Sequence, residues 1–429
     1  MSTAERTTTD SAAAATGAAV QSSLPLLIPA GADPLLQDDG IDTMVDDWAW
    51  DSIHLEAADA SRRLDLAGLQ RTVKTWFEPA VLDDLLGPAE GHAERVAREW
   101  LGVGGKRWRP FLAAAVHAAL VPSPTPAQEA SLKKIAVAVE CFHKASLVHD
   151  DIEDGDLERY GEPTLPGAYG VPVALNVGDV LIGEGYRLIA ESRLDPATLT
   201  AAVREASQSQ RLLCRGQGEE LAWSRTPTAL ASRQVLEIFR LKTAPAFDVA
   251  LQLGSLCAGR GTDLAEVLRV FSEAVGIAYQ IKDDLDDLQD DAGLLPGAQP
   301  RPSVVLALAA EQACGADREL LGRLARGEHV AGVTAERIRN AIAACKADEK
   351  AALLLEGYKE QAIRALDGLL EPTLKGLLRR VLGKIFFEVS FEGSCRVAEQ
   401  ERQRHAPADG EANARAPAVE PMQTAVERA

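Results

Sequence analysis

The sequence predicts an all-α protein, built as one large antiparallel helix bundle around a central cavity. Apolar residues recur at helical spacing through long stretches between Leu64 and Val397, and no stretch shows the apolar–polar alternation of a half-buried strand. Hydrophobic residues make up 46% of the 429 residues and aromatic residues only 5%, so alanine and leucine carry the interior. Two of the apolar helical runs end in the same acidic pattern. We therefore predict a bundle in which these two acidic ends face each other across the cavity.

Charge and cysteine usage exclude several classes of protein. A net charge of −19 argues against binding to nucleic acid or to anionic membranes, because both require basic patches. No apolar run approaches 18 residues, and the N-terminus lacks the apolar core of a secretory signal, so no membrane span is expected. The cysteines are far apart and form no C-x-x-C pair, which predicts reduced residues in a cytoplasmic protein: Cys141, Cys214, Cys257, Cys314, Cys345 and Cys395.

Composition divides the chain into three parts. Residues 1–60 are rich in Ala, Thr and Ser with no sustained period, and residues 401–429 are polar and rich in Ala, Pro and Glu. Such segments cannot bury enough apolar surface to fold, so both are predicted to be disordered. The helical domain is predicted to occupy residues 61–400.

In the first half of the domain, glycine and proline separate the predicted helices. Helical patterning starts at Leu64 and breaks at Gly87-Pro88. The remaining elements are a helix over 89–101, a glycine-rich turn over 102–110, a helix over 111–121, a proline-rich loop, and a central helix that starts near Ile135 and ends at Asp154, before Gly155.

The second half is predicted to continue in the same way. The first predicted helices cover 173–188 and a stretch from Pro196 to 214–219. The next starts at Thr226-Pro-Thr228, with Thr228 as its N-cap, and another ends at Asp287. The last three cover 304–321, 334–369 and 374–397. A Pro/Gly-rich loop over 288–303 follows Asp287.

The acidic ends of the two helical runs both read Asp-Asp-x-x-Asp. On a helix the first and last Asp of such a motif lie at i and i+4 on one face, where like charges repel. A helix C-terminus also disfavours anions, and a cation would relieve both problems. Clustered carboxylates without a Cys/His pattern suit Mg²⁺, which commonly bridges to substrate phosphate. A solvated acidic face is the alternative for either motif alone, but the recurrence favours metal ligation by Asp150, Asp151, Asp154, Asp283, Asp284 and Asp287.

The glycine-rich turn is a candidate anion site. Gly102-Val-Gly-Gly-Lys-Arg-Trp-Arg-Pro110 carries three cations immediately before an apolar helix. Glycines let backbone N–H groups approach an anion, and the N-terminus of a helix favours negative charge. A basic turn with a helix-starting proline is the alternative interpretation; phosphate is the ligand that fits the pattern best.

Together these features resemble the polyprenyl (isoprenyl) diphosphate synthase family, the trans-type prenyltransferases. The resemblance runs from about Leu66 to about Gln400. It includes, in the family's order, both aspartate motifs, Gly104-Gly-Lys-Arg-Trp-Arg-Pro110, Gly161-Glu-Pro-Thr164, Asn176-Val-Gly-Asp179, Gly216-Gln217, Lys242-Thr243 and Tyr279-Gln280.

The resemblance implies a role for each motif. It implies that Lys106, Arg109 and His143 hold the diphosphate of isopentenyl diphosphate, and that Lys242 and Thr243 contact an allylic diphosphate. Gly216 and Gln217 are expected beside the cavity, and Gln280 is expected among the substrate-binding residues. Catalysis is assigned to Asp150, Asp151, Asp154, Lys242, Asp283 and Asp284. Mg²⁺ is the implied cofactor, and a homodimer is the expected assembly.

Two departures from the family pattern concern cations. The family has two consecutive arginines where this chain has Arg159 and Tyr160. Arg159 falls on the one that meets the allylic diphosphate, and the other is replaced by Tyr160. The loop after the second motif also lacks the family's lysines, and Arg301 is its candidate substitute. His149 precedes the first motif and is interpreted as a core or supporting residue rather than a ligand.

The function implied is condensation of isopentenyl diphosphate with an allylic diphosphate to make a longer trans-polyprenyl diphosphate. The resemblance implies that a bulky aromatic residue five positions before the first Asp stops chain growth early. This chain has the small Ala145 there, and Phe142 lies about 4.5 Å deeper at 1.5 Å per residue. A geranylgeranyl or somewhat longer product is therefore expected, unless Phe142 only packs in the core. A catalytically weak regulatory subunit remains open because of Tyr160 and the missing lysines. A class I terpene cyclase is disfavoured by the second Asp-Asp-x-x-Asp.

Overall fold

The structure is a computed structural model that describes residues 64–159, 162–289, 291–294 and 300–386. The predicted extensions 1–60 and 401–429 lie outside the described residues, as do Tyr160 and Cys395. Within the described part no helix is both long and apolar enough to cross a membrane.

The first half of the chain folds into helices joined by short turns and one small hairpin. The helices are α1 (Leu66–Thr75), α2 (Pro79–Leu86), α3 (His92–Gly102), α4 (Trp108–Leu120), α5 (Pro126–Asp154), α6 (Leu165–Tyr169) and α7 (Val171–Ala190). The hairpin pairs β1 (Glu158–Arg159) with β2 (Glu162–Pro163), antiparallel, between α5 and α6.

The second half contains helices and connecting loops, and none of its described residues is in a strand. The helices are α8 (Pro196–Arg225), α9 (Ser232–Cys257), α10 (Gly261–Asp287), α11 (Asp291–Leu294), α12 (Val304–Gln312), α13 (Gly315–Leu324), α14 (Ala335–Ala344) and α15 (Ala347–Ala365). A single 3-10 turn, Leu366–Gly368, follows α15, and residues 372–386 are helical. The all-α prediction is confirmed.

The long helices α5, α9 and α10 form the centre of the bundle. The helix α5 packs chiefly against α7 and α4, while α9 packs against α8, α10 and α4, and α10 packs against α15. Their contact faces are built from small and aliphatic residues, and several residues of α5 have no exposed surface, namely Ile135, Ala136, Val137, Ala138, Cys141 and Val148. Burial of this apolar surface is the main stabilising contribution to such a bundle.

The ends of α5 are set by local chemistry. Thr125 and Gln128 form a capping box, and Pro126 occupies the first turn, where its missing N–H costs nothing. At the other end Gly155 adopts a left-handed conformation with φ of 70° and stops the helix immediately after Asp154. The predicted role of Gly155 is confirmed, and it places the first aspartate motif at the tip of the longest central helix.

Several predicted helix boundaries were wrong. The helix α4 starts at Trp108 rather than 111, and α8 continues through 214–219 to Arg225. The next helix starts at Ser232, because the carbonyl of Thr228 accepts a hydrogen bond from the Trp223 indole at 2.8 Å and holds 226–231 as a loop. The predicted helices 304–321 and 334–369 are each divided in two, near Ala313 and Lys346.

The cysteines within the described residues form no disulfide. Cys141 and Cys257 are buried and Cys345 is partly buried, whereas Cys214 and Cys314 are exposed. The expected thiols are therefore present, but only some of them belong to the core.

Candidate active site

The first aspartate motif ends α5 and is surrounded by cations. Asp151 has no exposed surface, and its Oδ1 accepts from Arg159 Nε at 2.7 Å and lies 2.6 Å from Arg159 Nη2. Arg159 reaches this position because it lies on β1, in the hairpin that directly follows α5. Burial raises the pKa of Asp151, and the bond from Arg159 opposes that rise.

Two further cations approach the same motif from distant parts of the chain. Arg301 donates to Asp154 Oδ2 at 2.5 Å, although 147 residues separate them. Burial raises the pKa of Asp150 to about 6, the charge of Lys242 opposes the rise, and the carboxylates of Asp154 and Glu153 add to it. Lys242 of α9 therefore lies close enough to Asp150 for its charge to act on that carboxyl.

Lys242 is positioned by α8. Its Nζ donates to Glu220 Oε1 at 2.6 Å, and the Glu220 side chain is almost fully buried. Gly216, one turn earlier on α8, packs directly on the α9 backbone: a Cβ there would lie 2.5 Å from the backbone nitrogen of Lys242. Gln217 donates to Glu153 Oε2 at 2.8 Å. The prediction that Gly216 and Gln217 lie beside the site agrees with these contacts.

The second motif ends α10, and its Asp284 carboxylate is hydrogen-bonded by backbone and hydroxyl donors rather than by an arginine. Asp284 Oδ2 accepts from the backbone N–H of Val305 at 3.1 Å, and Ser303 also donates to this carboxylate. Burial still raises the pKa of Asp284 to about 6. Burial, followed by the charges of Asp286 and Asp287, raises the pKa of Asp283 to about 7.

The carboxylates fit a bound cation that is shared with another ligand. Among the described residues, no three Asp, Glu, His or Cys side chains are grouped to hold a metal ion alone, so each predicted triad is not a complete metal cage. Burial and mutual repulsion nevertheless oppose the ionisation of Asp150 and Asp283, and Asp151 Oδ2 is buried without a hydrogen-bond partner. Mg²⁺ suits such a site, because it usually takes one or two carboxylates and completes its shell with water and phosphate.

The predicted anion turn leads into α4. Lys106 is exposed on the turn, and Arg109, in the first turn of α4, donates to His143 Nε2 of α5 at 3.1 Å. Burial and the nearby Arg109 charge lower the pKa of His143 well below its usual range, which keeps the accepting nitrogen unprotonated. The third cation of the turn, Arg107, is buried and ion-paired, so two cations rather than three are presented for an anion.

The other predicted residues lie on the central helices. Thr243 is buried on α9, next to Lys242, and Gln280 is partly buried on α10, three residues before Asp283. Asp287 is exposed at the end of α10. His149 packs against Gly178 of α7, where a Cβ would lie 2.3 Å from its Nε2, and the same nitrogen lies 4.0 Å from Asp179 Oδ1.

The sequence interpretation missed three supporting residues: Glu220, Ser303 and Glu140. Each is a polar residue outside the motifs: Glu140 lies on the central helix, and Ser303 ends the predicted 288–303 loop. Only Glu220 could have been placed beside the site from the sequence, since it follows Gly216-Gln217 by one helical turn.

The described residues thus form an all-helical bundle with two aspartate motifs at helix ends, the first of them approached by Arg159, Arg301 and Lys242. Residues 91–296 match the family model described as Polyprenyl synthetase. The match covers just under half of the chain and includes both aspartate motifs.

Individual relatives agree with this family. The chain is 30% identical over 194 residues to a geranylgeranyl pyrophosphate synthase of Geoglobus acetivorans, covering 45% of this chain and 59% of the relative. It is 31% identical over 185 residues to a geranylfarnesyl diphosphate synthase of Aeropyrum pernix, covering 42% and 57%. The matched stretch thus spans less than two thirds of these relatives' length.

A solved structure shares the fold. The geranylgeranyl pyrophosphate synthetase of Pyrococcus horikoshii superposes with a TM-score of 0.65 at 23% identity, covering 75% of this chain and 98% of that one. The likeness shows that the fold is that of a known helical bundle.

Proposed function

We propose that this protein is a trans-prenyltransferase that condenses isopentenyl diphosphate with an allylic diphosphate to make a longer polyprenyl diphosphate. The observation that carries the proposal is the cation set around the first aspartate motif, where Arg159, Arg301 and Lys242 approach buried or half-buried carboxylates. Cations and carboxylates at one place are what a metal-bridged diphosphate requires. The family and the names of the relatives support the same reaction class.

Mg²⁺ is the proposed cofactor. Asp150 and Asp154 on one side, with Asp283, Asp284 and Asp287 on the other, are the side chains that would hold it, and Asp151 would act through its bonds to Arg159. When bound, the ions would supply positive charge against the leaving diphosphate as the allylic C–O bond ionises.

Other residues of the chain would bind the substrate and stabilise the leaving diphosphate. Lys242, held by Glu220, and Arg159, held by Asp151, would stabilise charge that develops on the leaving diphosphate. Arg301 is 61% exposed on its side chain and bonds Asp154, so it is placed to exchange this partner for a diphosphate oxygen. Thr243 and Gln280 would contact the substrate from α9 and α10.

The second substrate would bind at the anion turn. Lys106, Arg109 and the neutral His143 would hold the diphosphate of isopentenyl diphosphate, with its double bond directed at the allylic carbon. The double bond would attack the allylic cation, and the released diphosphate would take the final proton. The reaction requires no side-chain nucleophile.

We further propose a geranylgeranyl or somewhat longer product. Ala145 is buried and too small to close a channel along α5, whereas the ring of Phe142 packs edge-on against Tyr186 of α7, with ring centroids 5.0 Å apart. Tyr186 in turn donates to Gln210 of α8 at 2.8 Å. This aromatic pair links three helices and is a firm candidate for the floor of the channel.

One experiment tests this function against the regulatory-subunit alternative. The pure protein is incubated with isopentenyl diphosphate, Mg²⁺ and each allylic primer in turn, and products are separated by chain length. Elongated products support the proposal. No product from any primer, together with no rescue by Tyr160→Arg, would favour the regulatory subunit, whose specific support is that Tyr160 stands in place of an arginine.

Assembly as a homodimer in the cytoplasm is also proposed. Apolar side chains are exposed along one side of α7 and beside it, at Val171, Leu175, Tyr169 and Leu157, and such patches are common at subunit interfaces. Light scattering of the purified chain would show twice the mass of one chain, and a monomer at micromolar concentration would contradict the dimer.

A further inference from the structure

We infer that Arg107 and Glu140 form a buried clamp that positions the anion turn, a role that rests on the proposed function of that turn. The turn carries Lys106 and Arg109, the two cations assigned to isopentenyl diphosphate. Arg107 lies between them in sequence, yet it is only 5% exposed and cannot contact a ligand in the cavity. Its contacts show what it does instead.

The guanidinium group of Arg107 joins two separate parts of the fold. Nη1 donates to Glu140 Oε1 of α5 at 2.6 Å. Nη2 donates to the carbonyls of Leu101 and Val103 at 2.8 Å each and to that of Gly102 at 3.2 Å. These carbonyls end α3, where a helix leaves acceptors without partners. One side chain thereby ties the end of α3 to the middle of α5.

The same residue sets the path of the turn. Arg107 has φ of 52° and ψ of 39°, a left-handed conformation at the position immediately before α4. A long side chain is rarely found there and persists only where its surroundings hold it. The guanidinium also lies 4.1 Å from the centre of the Phe77 ring. The clamp therefore fixes both the direction in which α4 starts and the place where Lys106 and Arg109 emerge.

The other half of the clamp lies beside the residues it positions. Glu140 is 3% exposed and is three residues, about one turn, before His143, which accepts from Arg109. Arg107 and Glu140 thus connect the backbone of the turn to the same stretch of α5 that carries the third diphosphate ligand. Arginine suits this task because its planar group donates in several fixed directions, which a lysine ammonium cannot reproduce.

Two changes test the clamp. Arg107→Lys keeps the charge and loses the fixed donor geometry. The double variant Arg107→Met with Glu140→Leu replaces the buried ion pair by apolar groups, an exchange that commonly preserves stability. Both should raise the KM for isopentenyl diphosphate by about tenfold or more, with the KM for the allylic substrate within about twofold of the wild type.

Matched variants separate positioning from folding. Arg260→Lys alters another multiply bonded arginine, which contacts Asp263 and Glu371 far along the chain, and should leave both KM values unchanged. Lys106→Ala removes a direct contact and should raise the same KM as the clamp variants do. A variant that merely folds poorly would lose active protein and hence apparent kcat, without a selective rise in one KM.

A binding measurement makes the clamp testable without turnover. Titration calorimetry with inorganic pyrophosphate in the absence of metal should show weaker binding to Arg107→Lys than to the wild type by about tenfold. If the wild type elongates no primer, the proposed function fails, but this titration still reports on the clamp. Equal pyrophosphate affinity in the wild type and Arg107→Lys, or no binding by either, would overturn the clamp.

Discussion

The two aspartate motifs share a sequence plan but differ in how their charge is balanced. The first motif, at the end of α5, is paired with side-chain cations: Arg159 on Asp151 and Arg301 on Asp154, with Lys242 close to Asp150. The second motif, at the end of α10, receives backbone and hydroxyl donors on Asp284, while Lys282 pairs with the neighbouring Asp286 rather than with the motif itself. Burial, followed by the charges of Asp286 and Asp287, raises the pKa of Asp283 to about 7, and burial raises the pKa of Asp150 to about 6.

The difference indicates that the two motifs would have different roles. Side-chain cations can move to a new anion, so the first motif has the groups that would transfer to an incoming diphosphate. Backbone donors are fixed, so the repulsion within the second motif would be relieved by protonation or by added positive charge. In this account the second motif depends more on metal, and the first depends on both metal and its arginines.

The largest expected effect comes from removing one carboxylate from either motif. Asp150→Asn and Asp283→Asn should each reduce the rate on the order of a thousandfold or more, the magnitude seen when an electrostatic clamp on a transition state is lost. Steady-state kinetics at saturating Mg²⁺ measures both. Asp286→Asn, on the same helix end but paired with Lys282, is the control and should change the rate little. A full rate in Asp283→Asn would mean that the second motif is only a solvated acidic end.

The second prediction separates the two arginines of the first motif. Arg159→Ala leaves Asp151 buried without its partner and should lower the free energy of unfolding by about 2 to 4 kcal/mol in addition to reducing activity. Arg301 is exposed, so Arg301→Ala should leave the melting temperature unchanged and raise the allylic KM by about tenfold. Thermal melts and kinetics on both variants check this. A large loss of stability in Arg301→Ala would contradict the assignment of Arg301 as a mobile cation.

The third prediction concerns pH in the absence of metal. Carboxyls with raised pKa values bind protons in the folded state at a pH where the unfolded chain remains ionised. Stability in EDTA should therefore rise as pH falls from 8 towards 5. The Asp283 contribution should appear around pH 7 and that of Asp150 around pH 6, each about 1 to 3 kcal/mol after solvent screening.

Melting curves across this range provide the check. Asp283→Asn should reduce the change of melting temperature with pH around pH 7, and Asp150→Asn should reduce it around pH 6. Mg²⁺ should stabilise the wild type more at pH 8 than at pH 5.5. If both variants keep the wild-type slope, the inferred difference between the motifs is wrong.

The smallest effect is on the product rather than on the rate. Phe142→Ala removes the proposed floor and should lengthen the main product, whereas Ala145→Phe should shorten it, because both residues lie on the helix of the first motif. Val275→Ala is the matched change on α10, eight residues before Asp283, and should leave product length unchanged. Chromatography of the products decides the matter. An unchanged distribution in Phe142→Ala and Ala145→Phe, each folded and active, would show that another helix sets the length.

Sequence patterns predicted those parts of the structure that depend on local rules. The helical period, the end of α5 at Gly155 and the pairing of the turn with α4 follow from neighbours in the chain, and the all-α fold was predicted correctly. Helix boundaries near 228 and 346 were missed because they depend on contacts such as that between Trp223 and the Thr228 carbonyl. No local pattern records such a contact.

The site shows the same limit at the level of single side chains. The motif Gly-Gly-Lys-Arg-Trp-Arg suggested three equivalent cations, yet Arg107 turns inwards to Glu140, a partner 33 residues away. Likewise, three equivalent aspartates were predicted in the first motif, yet Asp151 faces Arg159 in the interior. Residue type and spacing predict which groups gather, whereas their division into ligands and supports depends on tertiary packing.

The most direct test of the central claim is product formation with Mg²⁺ first removed and then restored. The purified chain, given isopentenyl diphosphate, an allylic primer and Mg²⁺, should form geranylgeranyl diphosphate or a somewhat longer chain. EDTA should abolish product, and added Mg²⁺ should restore it. Elongated product at the full rate in EDTA would contradict the account, and so would the absence of product from every primer in the presence of Mg²⁺.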